Sequence, residues 1–172
     1  GIKINLIEIL GMRGATSQQT LNEVMPLLKN LEPEFVTLLI GVNDWIREGI
    51  SSKKFTLRIK KLIDGIQKNL SIEENILMVT IPDFSCSPQK KEWGYGKSAT
   101  NGITRLNRIL KTEASLRGFP IVDIYPLSQD LCSKIEMFSG DGVHPSALQY
   151  SKWVDLISPY LLEHLKLNLI NL

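Results

Sequence analysis

Asp141-Gly142-Val143-His144-Pro145-Ser146 places a carboxylate and an imidazole three residues apart on one short turn. The chain has only two histidines, so material for general-base chemistry is scarce, and His144 has an acidic partner in its own loop. The same string also reads as a turn built from Asp-Gly and Pro ahead of a helix that Ser146 caps. Two further loops carry groups suited to acyl transfer. Gly14 lies where a strand gives way to a helix, so its backbone N–H is free to point into a pocket with no side chain in the way. Asn43, in Gly41-Val42-Asn43-Asp44, offers an uncharged side-chain N–H₂ to a developing oxyanion, and a neutral donor does not quench a nearby base. Structural readings stand beside both: a tight turn at Gly14, and an Asx-type turn at Asn43-Asp44.

The elements that must hold these groups alternate regularly. Ile2 to Leu10 is apolar and β-branched enough for a buried strand, and Thr16-Ser17-Gln18-Gln19 supplies a capping-box pattern for a helix through about Asn30. Phe35 to Ile40 reads as a second buried strand, with the Gly41 to Trp45 loop at its carboxyl end and a helix from about Lys53 to Asn69 after it. Ile76 to Ile81 reads as a third strand, and a polar loop from Asp83 to Lys97 follows. A helix from about Ser98 to Arg117, ended by Gly118, leads to a fourth strand over Pro120 to Ile124. A helical turn near Ser128 to Cys132, the Asp141 to Ser146 loop and a last helix from about Ala147 to Leu165 complete the pattern. Repeated strand and helix with near-continuous apolar strands predicts a parallel sheet covered on both faces. In such sheets ligands bind beyond the carboxyl ends of the strands, which puts all three loops on one rim.

Composition narrows the classes. The length of 172 residues is about one domain, and 43% hydrophobic with 22% charged residues reads as globular. Twenty basic against eighteen acidic side chains leave +2, too near balance to argue for nucleic acid or an anionic membrane surface. Lys53, Lys54, Arg58, Lys60 and Lys61 read most simply as the wet face of a helix. Cys86 and Cys132 are too few for a disulfide framework and lack metal-ligand spacing. No apolar run reaches the roughly twenty residues that span a bilayer, and the leucine-rich stretch from Tyr160 to Leu172 reads as an amphipathic final helix. Trp45, Trp93 and Tyr95 lie in or near rim loops, as an aromatic wall for an acyl chain or sugar face or as ordinary anchors. Neither compartment nor oligomeric state is indicated.

Taken together, the three loops resemble the SGNH hydrolases, also called the GDSL esterase and lipase family, from Gly11 to about Leu162. Gly11-Met12-Arg13-Gly14-Ala15-Thr16 resembles the family's second block, Gly41-Val42-Asn43-Asp44 its third and Asp141 to Ser146 its fifth. Ile9 departs from the pattern, since many members have Asn there. The resemblance implies a three-layer α/β/α sandwich with a mostly parallel, flavodoxin-like sheet, formed as a single domain over 1–172. It implies His144 as base, Asp141 as its orienting acid, and Gly14 N–H and Asn43 as the oxyanion hole. It also implies a small-molecule acyl ester as substrate and no metal or organic cofactor. The family's first block, a Gly-Asp-Ser-Leu-like turn with the nucleophilic serine, has no match here; Gly11-Met12-Arg13 has Arg where the serine belongs. Ser17, Ser85, Ser87, Ser139 and Ser146 are poor substitutes, so the nucleophile is expected upstream of Gly1, with the first strand. Two alternatives stand beside this: an inert remnant that binds a ligand or partner through the rim, and a metal-dependent phosphoesterase using Asp44, Asp141 and His144.

Overall fold

The computed structural model describes residues 4–72, 75–85, 87–89 and 97–170, of which 97–98 and 164–170 are described as backbone only. Trp93 and Tyr95, the remainder of the expected aromatic wall, lie outside the described residues. Three strands, β1 (Val36–Leu38), β2 (Ile76–Val79) and β3 (Ile121–Val122), form one parallel sheet in the order β1-β2-β3. Val36 stands opposite Ile76, and Met78 opposite Ile121. β2 is central and all four of its side chains are buried, which is why it reads as an unbroken apolar run with no alternation.

Successive β2 side chains serve opposite layers. Ile76 and Met78 join Phe55, Ile59, Leu62 and Ile63 of one helix (α4, Ser52–Gln67) and Ile103, Leu106 and Leu110 of another (α5, Lys97–Arg117) in the larger core. Leu77 and Val79, with Val122 and Ile124, meet Trp153 of the last helix (α7, Ala147–Ile170) on the other face. Helix, sheet and helix therefore stack in three layers, as the strand and helix pattern predicts. Among the described residues, no helix is long and apolar enough to cross a membrane.

Local signals set several of the helix ends. Thr16 accepts the Gln19 N–H and Gln19 accepts the Thr16 N–H at 3.1 Å, the reciprocal cap expected from the sequence. From it run α1 (Ser17–Gln19), a π-helical turn (Thr20–Val24) and α2 (Met25–Leu31). Ser51 caps α4, and Gly118, at φ +73°, ends α5. The short helix near Ser128 begins earlier than expected, as α6 (Tyr125–Leu131), with Pro126 in its first turn. Cys132, which follows α6, is disulfide-bonded, and Cys86 lies outside the described residues.

Three expectations are corrected. The first strand does not form: residues 4–10 have no regular structure, and Ile4, Leu6, Ile7 and Ile9 are exposed. A strand exists only by pairing, and among the described residues β1 is paired on the β2 side alone, so no ladder reaches this segment. Gly41 to Trp45 is not a loop throughout, because Val42–Ile46 closes into one turn of helix, α3. Arg58 is not on the wet face of α4; it is buried and paired with Asp44 at 2.9 Å.

Trp45 of α3 packs on the α5 backbone at Gly102, with the Arg105 guanidinium 5.2 Å from its ring centroid. A Cβ at Gly102 would lie 2.2 Å from the indole Cε2. Alanine favours a helix interior by about 1 kcal/mol over glycine. The overlap outweighs that gain, since overpacking costs about 1–3 kcal/mol or more. Gly102→Ala is therefore expected to melt below the wild type, and a melting temperature at or above the wild-type value would show that the indole moves aside freely.

Candidate active site

The loop after α6 is folded tightly around Asp141. Phe138 and Pro145 form an antiparallel bridge, the Ser139 N–H donates to the His144 carbonyl at 2.7 Å, and the Gly142 N–H donates to the Ser139 carbonyl at 2.8 Å. That turn brings Gly142 to φ +66°, a conformation that favours glycine. Ser146 then caps α7 by accepting the Gln149 N–H at 3.3 Å, while its hydroxyl donates to the Glu136 carbonyl. The turn and the cap are what bring the Asp141 and His144 side chains together.

Asp141 Oδ2 accepts from His144 Nδ1 at 2.6 Å. A carboxylate only accepts, so Nδ1 is the donor in this contact, and in the neutral imidazole that arrangement leaves the Nε2 lone pair free. Asp141 Oδ1 accepts from the Ser139 hydroxyl at 2.6 Å, the Val143 N–H at 2.9 Å and the His144 N–H at 3.0 Å. These donors, Ser139 first, hold its carboxyl far below the usual carboxylate range. The His144 side chain is 60% exposed, open to a reacting group.

Gly14 and Asn43 are brought together by α3. Gly14 has φ +73°, and among the described residues its N–H has no hydrogen-bond partner. Its carbonyl accepts from Arg47 Nη1 at 2.7 Å. Asn43 Nδ2 donates one hydrogen to the Ala15 carbonyl at 3.1 Å, and a carboxamide has a second to give. Asp44 is fully buried, with Oδ2 accepting the Ser17 N–H at 2.7 Å and Oδ1 accepting the Ser17 hydroxyl and Arg58 Nη1. Both its oxygens therefore accept hydrogen bonds from within the fold. Among the described residues, no group of three or more such side chains is disposed to hold a metal ion.

No hydrogen bond or ion pair among the described residues links the Asp141–His144 pair to the Gly14 and Asn43 loops. The pair is supported instead from the segment after β2. Ser87, fully buried, donates its hydroxyl to the Gly142 carbonyl, and a Cβ on Gly142 would come within 3.0 Å of the Gln89 side chain. Sequence reasoning missed this buttress, since Ser87 and Gly142 are far apart in the chain and neither has a local signature. Ser139 was within reach, because it lies only two residues before Asp141 on the same turn. Four of the five serines weighed as nucleophiles have engaged hydroxyls: those of Ser17, Ser87, Ser139 and Ser146 donate to Asp44, Gly142, Asp141 and Glu136, while at Ser85 it is the backbone N–H that is held, by Asp83.

Comparison with known proteins agrees with this architecture. A multidomain esterase of Ruminococcus flavefaciens is 28% identical over 144 residues, which cover 78% of this chain and 17% of that protein. The chain thus spans about a sixth of the length of that curated relative. Among solved structures, a GDSL-like lipase from Bacteroides thetaiotaomicron superposes with a TM-score of 0.69 at 21% identity, over 88% of this chain and 73% of that one. An acetylxylan esterase from Geobacillus stearothermophilus gives 0.67 at 14% identity, over 86% of this chain and 68% of the other. At such identities these structures speak for the fold. The family model described as GDSL-like lipase/acylhydrolase matches residues 2–152, nearly the whole chain, and the protein therefore belongs to that family.

Proposed function

We propose that this chain carries the acid–base pair and the oxyanion hole of a serine-type acyl ester hydrolase. The observation that carries the reading is His144 Nδ1 held 2.6 Å from an Asp141 carboxylate that itself accepts three other hydrogen bonds. In the proposed reaction a serine hydroxyl attacks the ester carbonyl and His144 Nε2 takes its proton, while Asp141 holds the tautomer and stabilises the imidazolium. The Gly14 N–H and the second Asn43 N–H receive the oxyanion. Collapse expels the alcohol, which takes the proton back from His144. Water, activated by the same imidazole, then releases the acid and frees the serine.

The proposed nucleophile is a serine outside residues 1–172: the family's first block has no match in this chain, and the hydroxyls of Ser17, Ser87, Ser139 and Ser146 are engaged elsewhere. Relatives named as esterases and lipases support an oxygen ester as the bond cut. Because its hydrogen-bond donors hold the Asp141 carboxyl far below the usual carboxylate range, loss of rate on mild acidification is not assigned to Asp141.

Asn43→Ala in the complete polypeptide is expected to lower kcat on p-nitrophenyl acetate by roughly 10²- to 10³-fold, about 3–4 kcal/mol, the cost of one oxyanion donor. Folding should change little. A variant that melts early yet keeps its kcat per folded molecule would make Asn43 a turn former and defeat the assignment.

A further inference from the structure

The two oxyanion donors come from different segments, one before α1 and one on α3, and their mutual geometry has to be held to a fraction of an ångström for both to reach one oxygen. Three α3-side residues grip the turn between them: Asn43 on the Ala15 carbonyl, Arg47 on the Gly14 carbonyl and Asp44 on Ser17. Arg47 is exposed and Asn43 half-buried, so water competes for both contacts. Asp44 has no exposed surface. Its carboxylate takes the Ser17 N–H, the Ser17 hydroxyl and Arg58 Nη1 together, and Arg58 rises from α4, the helix whose Phe55, Ile59, Leu62 and Ile63 build the core. Arg58 Nη1 also donates to Glu48 at 2.9 Å, just beyond α3.

Resting on the oxyanion assignment above, we propose that Asp44 is the positioning residue of this site. It references the Gly14 turn and the Asn43 turn of helix to the rigid core through Arg58, so that both N–H groups converge on the same point. It touches no reacting atom. The charge suits the role: an ionised acceptor makes shorter and stronger hydrogen bonds than a neutral one, and three donors converge on it. In Asp44→Asn one oxygen becomes an N–H₂ group, which must face the Ser17 donors or the guanidinium.

The test uses the complete polypeptide with p-nitrophenyl acetate. Asp44→Asn should lower kcat per folded molecule by roughly 10- to 100-fold, the range seen when an outer partner of a site residue is lost, with KM within about threefold. The pH dependence of kcat/KM should keep its wild-type shape, because Asp141 and His144 are untouched. In an Asn43→Ala background the same change should cost much less, since the geometry it protects is already lost. Full kcat per folded molecule in Asp44→Asn, or an undiminished loss in the Asn43→Ala background, would overturn the proposal. Should Asp44→Asn fail to fold, Ser17→Ala removes one of the three donors and should lower kcat several-fold with the same coupling to Asn43; a wild-type kcat there counts against it equally. In the 172-residue chain itself, with no activity required, Asp44→Asn should speed amide exchange at Ser17 while α4 amides keep their rates, and an unchanged Ser17 also overturns it. If Asn43→Ala keeps full kcat, the oxyanion assignment fails instead, whatever Asp44 does.

Discussion

His144→Ala is expected to remove nearly all ester hydrolysis by the complete polypeptide, a loss of roughly 10⁴-fold or more in kcat. The imidazole is the base for both halves of the proposed reaction, and no other described side chain is paired to replace it. Asp141→Asn should be milder, leaving a weak remainder, because the imidazole survives with its tautomer less well held. The structure sharpens that order. Asp141 Oδ1 takes the Ser139 hydroxyl and two backbone N–H groups, so the side chain also holds the loop, and its replacement should lower the melting temperature as well as the rate. Purified, folded His144→Ala turning over substrate at the wild-type rate would remove the assignment outright.

The 172-residue chain alone is expected neither to hydrolyse p-nitrophenyl acetate above background nor to take up a fluorophosphonate probe, even where it folds. Supplying the polypeptide that bears the proposed serine should give both, and changing that serine to Ala should abolish both. The same segment should matter to folding. The β1 edge, unpaired among the described residues, and the exposed Ile4, Leu6, Ile7 and Ile9 are the kind of apolar surface that aggregates, so the chain alone should self-associate. Stoichiometric probe uptake mapped by mass spectrometry to a serine within residues 1–172 would move the nucleophile inside the chain. If no upstream serine restores activity, the inert, ligand-binding reading of the rim takes over.

Signals that act over a few residues were the legible ones. Thr16 and Gln19 form the cap their spacing predicts, Gly118 ends α5, and the continuous apolar run at Ile76 marks the central strand. The Asp141–His144 contact was equally readable, because both residues lie on one turn whose glycine and proline restrict its shape. Each of these depends on contacts within about one turn of chain, where residue type nearly fixes geometry.

Long-range partners were a different matter. Ile2 to Leu10 is apolar and β-branched enough for a strand and forms none in the described part, because strand propensity needs a neighbour to pair with. Arg58 sits among lysines that suggest a wet face, yet it turns inward because Asp44 and Glu48, brought to it by the packing of α3 against the core, compensate its charge. Nothing in the spacing of Ser87 and Gly142, or of Ser17 and Asp44, announces that they bond. The sequence by itself determined the layered fold, the Asp141–His144 contact and the positions of the candidate oxyanion donors, since each is written in short-range residue types. Only the tertiary structure decided how the two donor loops are pinned together and what buttresses the His144 loop, because a hydrogen bond across the fold depends on where packing carries its two ends.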